Sequence, residues 1–105
     1  MKQPITKQQI EELQQQNNTV NLVDIRTTEE FEKMHVPGAV NIPAETLENS
    51  VSHFATEDTI VCICNKGQER SQQAAETIAS MGFTNVFYLE AGTFGWLEIS
   101  SAKEI

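Results

Sequence analysis

Cys64 is the residue of this chain that is best placed to do chemistry. It follows the apolar run 60–63, and a short polar turn separates it from an alanine-bearing helical stretch, 72–80. A thiol between the end of a buried strand and the start of a helix faces unpaired backbone N–H groups and the positive end of the helix dipole. Lys66 and Arg70 add two cations within the same turn. Because all of these groups favour a sulfur anion, the spacing predicts a reactive thiolate.

The polar turn after Cys64 supplies the candidate substrate-binding groups. These are Asn65, Lys66, Gly67, Gln68, Glu69 and Arg70. Arg70 lies where a helix is expected to begin, and a cation at that end of a helix is electrostatically unfavourable. The sequence therefore indicates an anion or a carboxylate as the partner of Arg70. Asn65, Lys66 and Glu69 could equally be ordinary turn residues in contact with solvent.

The second cysteine, Cys62, lies two positions before Cys64 in the middle of the same apolar run. That spacing is too tight for an ordinary disulfide. A cysteine in mid-strand is commonly a buried core residue. The alternative is a resolving thiol that attacks an oxidised or sulfur-loaded Cys64.

Size and charge limit the classes of function. The 105 residues fit one domain, 1–105, that can fold without disulfides or metal. Fifteen acidic and seven basic residues give a net charge of −8, which repels nucleic acid and anionic membranes. We therefore expect neither nucleic acid nor a membrane as a partner. An anionic substrate would have to be attracted by local positive charge, which Lys66 and Arg70 supply beside Cys64.

The sequence contains no apolar stretch that resembles a signal peptide or a transmembrane segment, so a cytoplasmic location is expected. In that reducing compartment both cysteines should be free thiols. No metal site is expected, because His35 and His53 are scattered and no paired Cys or His ligand spacing occurs. No motif for a cofactor is recognised either.

Strands alternate with helices along the chain. The predicted strands are 20–25, 39–42, 59–63 and 86–89. The predicted helices open at a Thr6–Gln9 capping box and at Thr28, and cover 72–81 and 94–99, with Gly82 ending the third. Near-continuous apolar strands of this kind are typical of a parallel sheet covered on both faces. Ligands of such sheets bind beyond the carboxyl ends of the strands, where Cys64 lies.

Several short stretches occur in an order that resembles a known family. They are Leu-Val-Asp-Ile-Arg at 22–26, Glu-Glu-Phe at 29–31, His-Val-Pro-Gly-Ala-Val-Asn-Ile-Pro at 35–43, Cys64 with Gly67, Arg70 and Ser71, Gly-Phe-Thr-Asn-Val at 82–86, and Leu-Glu-Ala-Gly at 89–92 leading to Trp96. Each stretch alone is a weak signal. Together they span Val20 to Leu97, and the combination resembles the single-domain rhodanese-like sulfurtransferases.

This resemblance implies an α/β, three-layer rhodanese-like fold, with a central, mostly parallel sheet of about five strands and helices on both faces. It also implies that Cys64 carries a sulfane sulfur as a persulfide. The partners would then be a small-molecule or protein persulfide donor, or thiosulfate, and a thiol acceptor. N–H groups of the loop from Asn65 to Arg70 could hold the outer sulfur anion.

The loop departs from the family pattern in its length. In most such sulfurtransferases the closing basic or hydroxyl residue comes one position earlier than Arg70, so the segment from Cys64 to Arg70 has seven residues instead of six. The longer loop resembles that of rhodanese-fold dual-specificity phosphatases and arsenate reductases, which encloses a tetrahedral oxyanion. Against that alternative, Ile63 stands where those phosphatases usually carry histidine, Gly67 fits the sulfurtransferase loop, and no Asp is evidently placed as a general acid. A non-catalytic binding module is the third possibility.

Asp24, Arg26 and His35 are expected to support the site structurally. Asp24 and Arg26 lie at a strand end, where Asp24 can bond loop N–H groups and Arg26 can pair with an acidic neighbour. In the family that the chain resembles, a histidine at the position of His35 supports the following turn, 36–38. The alternatives are a catalytic Asp24–Arg26 pair and a general base at His35.

Overall fold

The computed structural model describes residues 3–98. Its strands are β1 Gln3–Ile5, β2 Val20–Asp24, β3 Val40–Asn41, β4 Thr59–Ile63 and β5 Asn85–Leu89. Its α-helices are α1 Lys7–Gln15, α2 Thr28–Lys33, α3 Leu47–Ser50, α4 Glu69–Ser80 and α5 Gly92–Trp96. Two short 3₁₀ turns, Ala44–Thr46 and Val51–His53, flank α3.

The five strands form one sheet in the order β1-β5-β4-β2-β3, and every neighbouring pair is parallel. The α/β class and the parallel sheet predicted from the sequence are therefore confirmed. The short strand β1 was missed, because three residues that include a proline carry almost no strand signal. Pro4 is tolerated there since β1 lies at the edge of the sheet.

Apolar side chains of β4 alternate between two cores. Ile60 and Cys62 face the core that also contains Cys64, together with residues of α3 and α4. Val61 and Ile63 face the other core, which contains Ile10 of α1 and Leu89 of β5. This period of two places Cys64 on the same face as α4, so the strand end and the helix start meet at its sulfur.

Several element boundaries differ from the sequence prediction by one to three residues, those of β2, β3 and β5 among them. The N-cap of α2 is Thr27 and not Thr28, because Thr27 Oγ1 accepts from the N–H of Glu30 while the Glu30 side chain accepts from the N–H of Thr27. Helix α4 begins at Glu69, three residues earlier than predicted, and ends before Gly82 as predicted. The last helix is Gly92–Trp96, and Ile99, its predicted end, lies outside the described residues.

Within residues 3–98, no helix is long and apolar enough to cross a membrane.

Candidate active site

Cys64 lies immediately beyond β4 with only 3% of its surface exposed. Its Sγ is 3.1 Å from Ser71 Oγ, in the first turns of α4. Burial alone would raise the pKa of the Cys64 thiol, but hydrogen bonds from the Ser71 hydroxyl and from the backbone N–H groups of Ser71, Gln68 and Lys66 outweigh it and lower that pKa below its ordinary value. The turn therefore favours a thiolate, and Lys66 contributes through its backbone N–H.

The Ser71 hydroxyl can serve either protonation state of the thiol. It lies 3.1 Å from the carbonyl oxygen of Gln68 as well as from Cys64 Sγ. A protonated Cys64 can donate to Ser71 Oγ while that hydroxyl donates to Gln68. After the thiol loses its proton, the hydroxyl can turn and donate to the sulfur, since a serine hydroxyl both donates and accepts.

Replacing Ser71 with alanine should raise the pKa of the Cys64 thiol, because the anion loses one of its hydrogen-bond donors. A hydrogen bond to a charged group contributes about 1.5–3 kcal/mol, so alkylation of Cys64 at neutral pH should slow at least several-fold. The measurement is the rate of iodoacetamide labelling against pH, whose midpoint should move to higher pH. Ser80→Ala is the matched control, since Ser80 is in the same helix but donates to Thr77. An unchanged midpoint in Ser71→Ala would contradict this role.

Two glycines fix the backbone of the loop. Gly67 has φ +70°, and a Cβ there would lie 2.0 Å from the carbonyl oxygen of Glu90. Gly92 has φ +67°, and a Cβ there would lie 2.4 Å from the carbonyl oxygen of Asn65. Both positions require glycine because the left-handed conformation and the close approach of a second backbone exclude a side chain. Gly67 was predicted to bind substrate, but it packs behind the loop and does not line the cavity described below.

Two backbone hydrogen bonds from the start of α5 fix the position of the loop. The N–H of Thr93 donates to the carbonyl of Cys64 at 2.8 Å, and the N–H of Phe94 donates to the carbonyl of Asn65 at 3.0 Å. These bonds direct the first two loop carbonyls away from the sulfur. The loop can therefore present N–H groups to the sulfur, and those of Lys66, Gln68 and Ser71 lower the pKa of Cys64.

A buried ion pair between Asp24 and Arg26 supports the loop near Asn65. Asp24 and Arg26 are 0% and 2% exposed, and Arg26 donates to the Asp24 carboxylate through Nε at 2.9 Å and Nη2 at 2.7 Å. The remaining donors of Arg26 reach the carbonyl of Met34 at 2.7 Å and Asn65 Oδ1 at 3.0 Å. Arg26 thus links β2, the end of α2 and the second residue of the loop. The acidic neighbour expected for Arg26 is Asp24 itself.

Arg70 has the carboxylate partner that its position at a helix start indicated. Its Nη2 and Nη1 donate to the two carboxylate oxygens of Glu30, at 3.1 Å and 3.4 Å. This hydrogen bond with Arg70 is the largest cause that lowers the pKa of Glu30 to about 2, followed by the opposing effect of burial and by hydrogen bonds from Thr27. The guanidinium is thus held to α2 at the edge of the site.

An open cavity of about 330 Å³ lies over the sulfur. It is lined by Cys64, Asn65, Lys66, Gln68, Glu69 and Arg70. Of the predicted substrate-binding residues, only Gly67 is absent from this lining. Asp24 and Arg26 lie below it in the buried network, whereas His35 is exposed, stacks on Phe31 and donates to the Phe31 carbonyl at 2.8 Å.

Sequence reasoning missed Ser71 and Glu30 as site residues. Ser71 was part of the matching motif, and its signal was a hydroxyl directly before the predicted helix 72–81. Glu30 is 40 positions from Arg70, and the sequence offers no way to choose it over the other acidic residues.

Cys62 is a core residue of the structure. It is 0% exposed, and burial followed by the proximity of Cys64 raises the pKa of its thiol to about 12. Both cysteines are free. A thiol that stays protonated is a poor nucleophile, which disfavours the resolving role considered for Cys62.

Comparison with known proteins shows the family of the chain. The model of the rhodanese-like domain family matches residues 6–99 of the chain. A putative sulfur carrier protein, YrkF of Bacillus subtilis, is 36% identical over 80 residues, which are 76% of this chain and 43% of YrkF. The thiosulfate sulfurtransferase PspE of Escherichia coli is 35% identical over 66 residues, 61% of this chain and 62% of PspE. The chain thus spans less than two thirds of the length of either relative.

A solved structure covers more of the chain. The human single-domain sulfurtransferase TSTD1 superposes with a TM-score of 0.80 at 27% identity, over 93% of this chain and 97% of TSTD1. An identity of 27% does not by itself establish the family of the chain. Taken with the match of the family model over residues 6–99, it leads to one conclusion. This chain belongs to the rhodanese-like domain family.

Proposed function

We propose that this protein is a sulfurtransferase or sulfur carrier that holds sulfane sulfur on Cys64 as a persulfide. The Cys64 thiolate attacks the outer sulfur of the donor. With thiosulfate, a new S–S bond forms to Cys64 as the bond to the sulfonyl sulfur breaks, and sulfite leaves with the electron pair. An acceptor thiolate then attacks the outer sulfur, takes it as a new persulfide and restores the Cys64 thiolate. Each step is a displacement at sulfur that consumes no external oxidant or reductant.

The observation that carries this proposal is the surroundings of Cys64 Sγ. A hydroxyl and three backbone N–H groups lower the pKa of this thiol, at the base of an open cavity of about 330 Å³. The same donors suit a persulfide anion, whose charge lies on the outer sulfur. We propose the cavity-lining residues Asn65, Lys66, Gln68 and Glu69 as the contacts of donor and acceptor.

The partners proposed for this site are a small-molecule or protein persulfide donor and a thiol acceptor, in the reducing cytoplasm. The names of the relatives PspE and YrkF, a thiosulfate sulfurtransferase and a putative sulfur carrier, support this class of reaction.

Phosphatase or arsenate reductase activity is the second candidate, favoured by the seven-residue segment from Cys64 to Arg70. Two observations rank it lower. The Arg70 guanidinium is paired with Glu30, so the donors that would bind an oxyanion are already occupied. Neither aspartate of the chain is placed as a general acid. Asp24 is bonded to Arg26, and Asp58 precedes β4 at the opposite end of this strand from Cys64.

The test compares two activities in one preparation. We expect thiosulfate-dependent formation of thiocyanate from cyanide, and aryl phosphate hydrolysis no faster than in Cys64→Ser. Aryl phosphate turnover that requires Cys64, without any sulfur transfer, would overturn the proposal in favour of a phosphatase. If neither activity occurs and Cys64 labels with the pH profile of an ordinary thiol, the domain is a binding module.

A further inference from the structure

The pair of Arg70 and Glu30 is built more firmly than an ordinary surface ion pair. Its two hydrogen bonds join both nitrogens of the guanidinium fork to both carboxylate oxygens. The Glu30 side chain is also held independently of Arg70, since its Oε1 accepts from the N–H of Thr27 at 3.0 Å and from the Thr27 hydroxyl at 3.2 Å. Asn65 Nδ2 donates to the other oxygen, Oε2, at 3.5 Å.

This fixation matters because exposed ion pairs are usually weak. Arg70 and Glu30 side chains are 48% and 34% exposed, and such pairs lose much of their attraction to solvent and to the ordering of two long side chains. Here the capping box of α2 has already ordered the carboxylate, and the bidentate geometry adds directional strength. With its pKa lowered to about 2, chiefly by the hydrogen bond with Arg70, Glu30 is ionised throughout the neutral range.

The position of the pair makes it part of the substrate cavity. Arg70 lines the cavity over Cys64, and Asn65, which contacts Glu30, lines it too. An oxyanion can bind the Arg70 guanidinium only if it displaces the Glu30 carboxylate or binds next to it. The resulting repulsion grows with the charge of the ligand, so dianions such as thiosulfate, phosphate and arsenate are affected most. An alkyl persulfide carries at most one charge, on the sulfur that Cys64 receives.

We propose that Glu30 is a specificity-determining residue, which disfavours doubly charged oxyanions, thiosulfate included, and so favours alkyl persulfides as sulfur donors. The choice of donor rests on the sulfur transfer proposed above, whereas the weakened binding of oxyanions does not. Glu30 acts through Arg70, as a positioning residue for its guanidinium.

The variant Glu30→Gln tests this role, because glutamine preserves the capping box while removing the charge that holds Arg70. We expect the KM for thiosulfate to fall about tenfold, the equivalent of one charge-assisted hydrogen bond gained by the anion. The kcat/KM for 2-hydroxyethyl persulfide, an alkyl persulfide whose only charge is on the persulfide group, should stay within about twofold of the wild type. Glu29→Gln is the matched control: it removes the same charge from the first turn of α2, where Glu29 is exposed.

A second readout is independent of sulfur transfer. Inorganic phosphate should protect Cys64 from iodoacetamide, and half-protection should need about tenfold less phosphate in Glu30→Gln than in the wild type. Arg70→Met combined with Glu30→Gln should lose this gain, because no guanidinium remains to be released. An unchanged phosphate affinity in Glu30→Gln, or an equal gain in Glu29→Gln, would overturn the role of Glu30. If the wild type accepts sulfur from neither donor, the proposed function fails. The protection of Cys64 by phosphate would still test whether Glu30 weakens the binding of oxyanions.

Discussion

Replacing Cys64 with serine should reduce thiocyanate formation from thiosulfate and cyanide to the background rate, a loss of at least about 10³-fold. A serine hydroxyl ionises far above neutral pH and cannot form a stable bond to a sulfane sulfur. The hydrogen-bond donors around the sulfur would remain in place, so the loss would report the missing thiolate. The measurement is steady-state turnover at saturating thiosulfate, with circular dichroism to show that the variant is folded.

The matched control for this variant is Cys62→Ala. Cys62 lies on the same face of the sheet and is fully buried, so its loss should leave a small cavity that costs about 1 kcal/mol of stability. Sulfur transfer should remain close to that of the wild type. Equal losses in the two variants would contradict the assignment of the reacting thiol to Cys64 alone and restore the resolving role of Cys62.

Replacing Asp24 with asparagine should lower the free energy of unfolding by about 3–5 kcal/mol. The change leaves the buried guanidinium of Arg26 without its counter-ion, at a position where 2% of the residue is exposed. Because Arg26 also donates to Asn65, the loop should lose a support on that side, and the rate of Cys64 alkylation should change along with stability. Urea unfolding followed by Trp96 fluorescence measures the first effect.

The chain offers a matched control in its second aspartate, Asp58. Its carboxylate accepts one backbone N–H in an exposed turn, so Asp58→Asn should cost less than about 1 kcal/mol. If Asp24→Asn is too unstable to purify, Asp24→Asn combined with Arg26→Met should be more stable than the single variant, since no unpaired charge is then buried. A loss below about 1 kcal/mol for Asp24→Asn would contradict the importance of the pair.

The fold could be predicted from the sequence where local signals agree. The run 60–63 is apolar throughout, and 59–63 was assigned as a strand with the bounds that the structure has for β4. The Thr6–Gln9 capping box and Gly82 marked helix ends because cap chemistry involves neighbours in sequence. Where two adjacent threonines both suit an N-cap, as at 27 and 28, the sequence could not choose between them.

The arrangement of the site depended on contacts between distant segments. The motif pointed to Cys64 and its loop, and electrostatics at the helix start indicated a partner for Arg70. The identity of that partner, Glu30, follows from packing α2 against the loop, 40 positions away in the chain. The bond from Arg26 to Asn65 spans 39 positions for the same reason. Gly67 was placed in the cavity because a glycine in a turn does not reveal which side of the backbone is crowded.

The most direct test of the central proposal is the intact mass of the protein after incubation with a sulfur donor. Thiosulfate or glutathione persulfide should each add one sulfur atom, peptide mapping should place it on Cys64, and cyanide should remove it as thiocyanate. The account predicts this gain in the wild type and in Cys62→Ala, and no gain in Cys64→Ser. A wild-type protein that gains no sulfur from either donor, or gains it on Cys62, would contradict it.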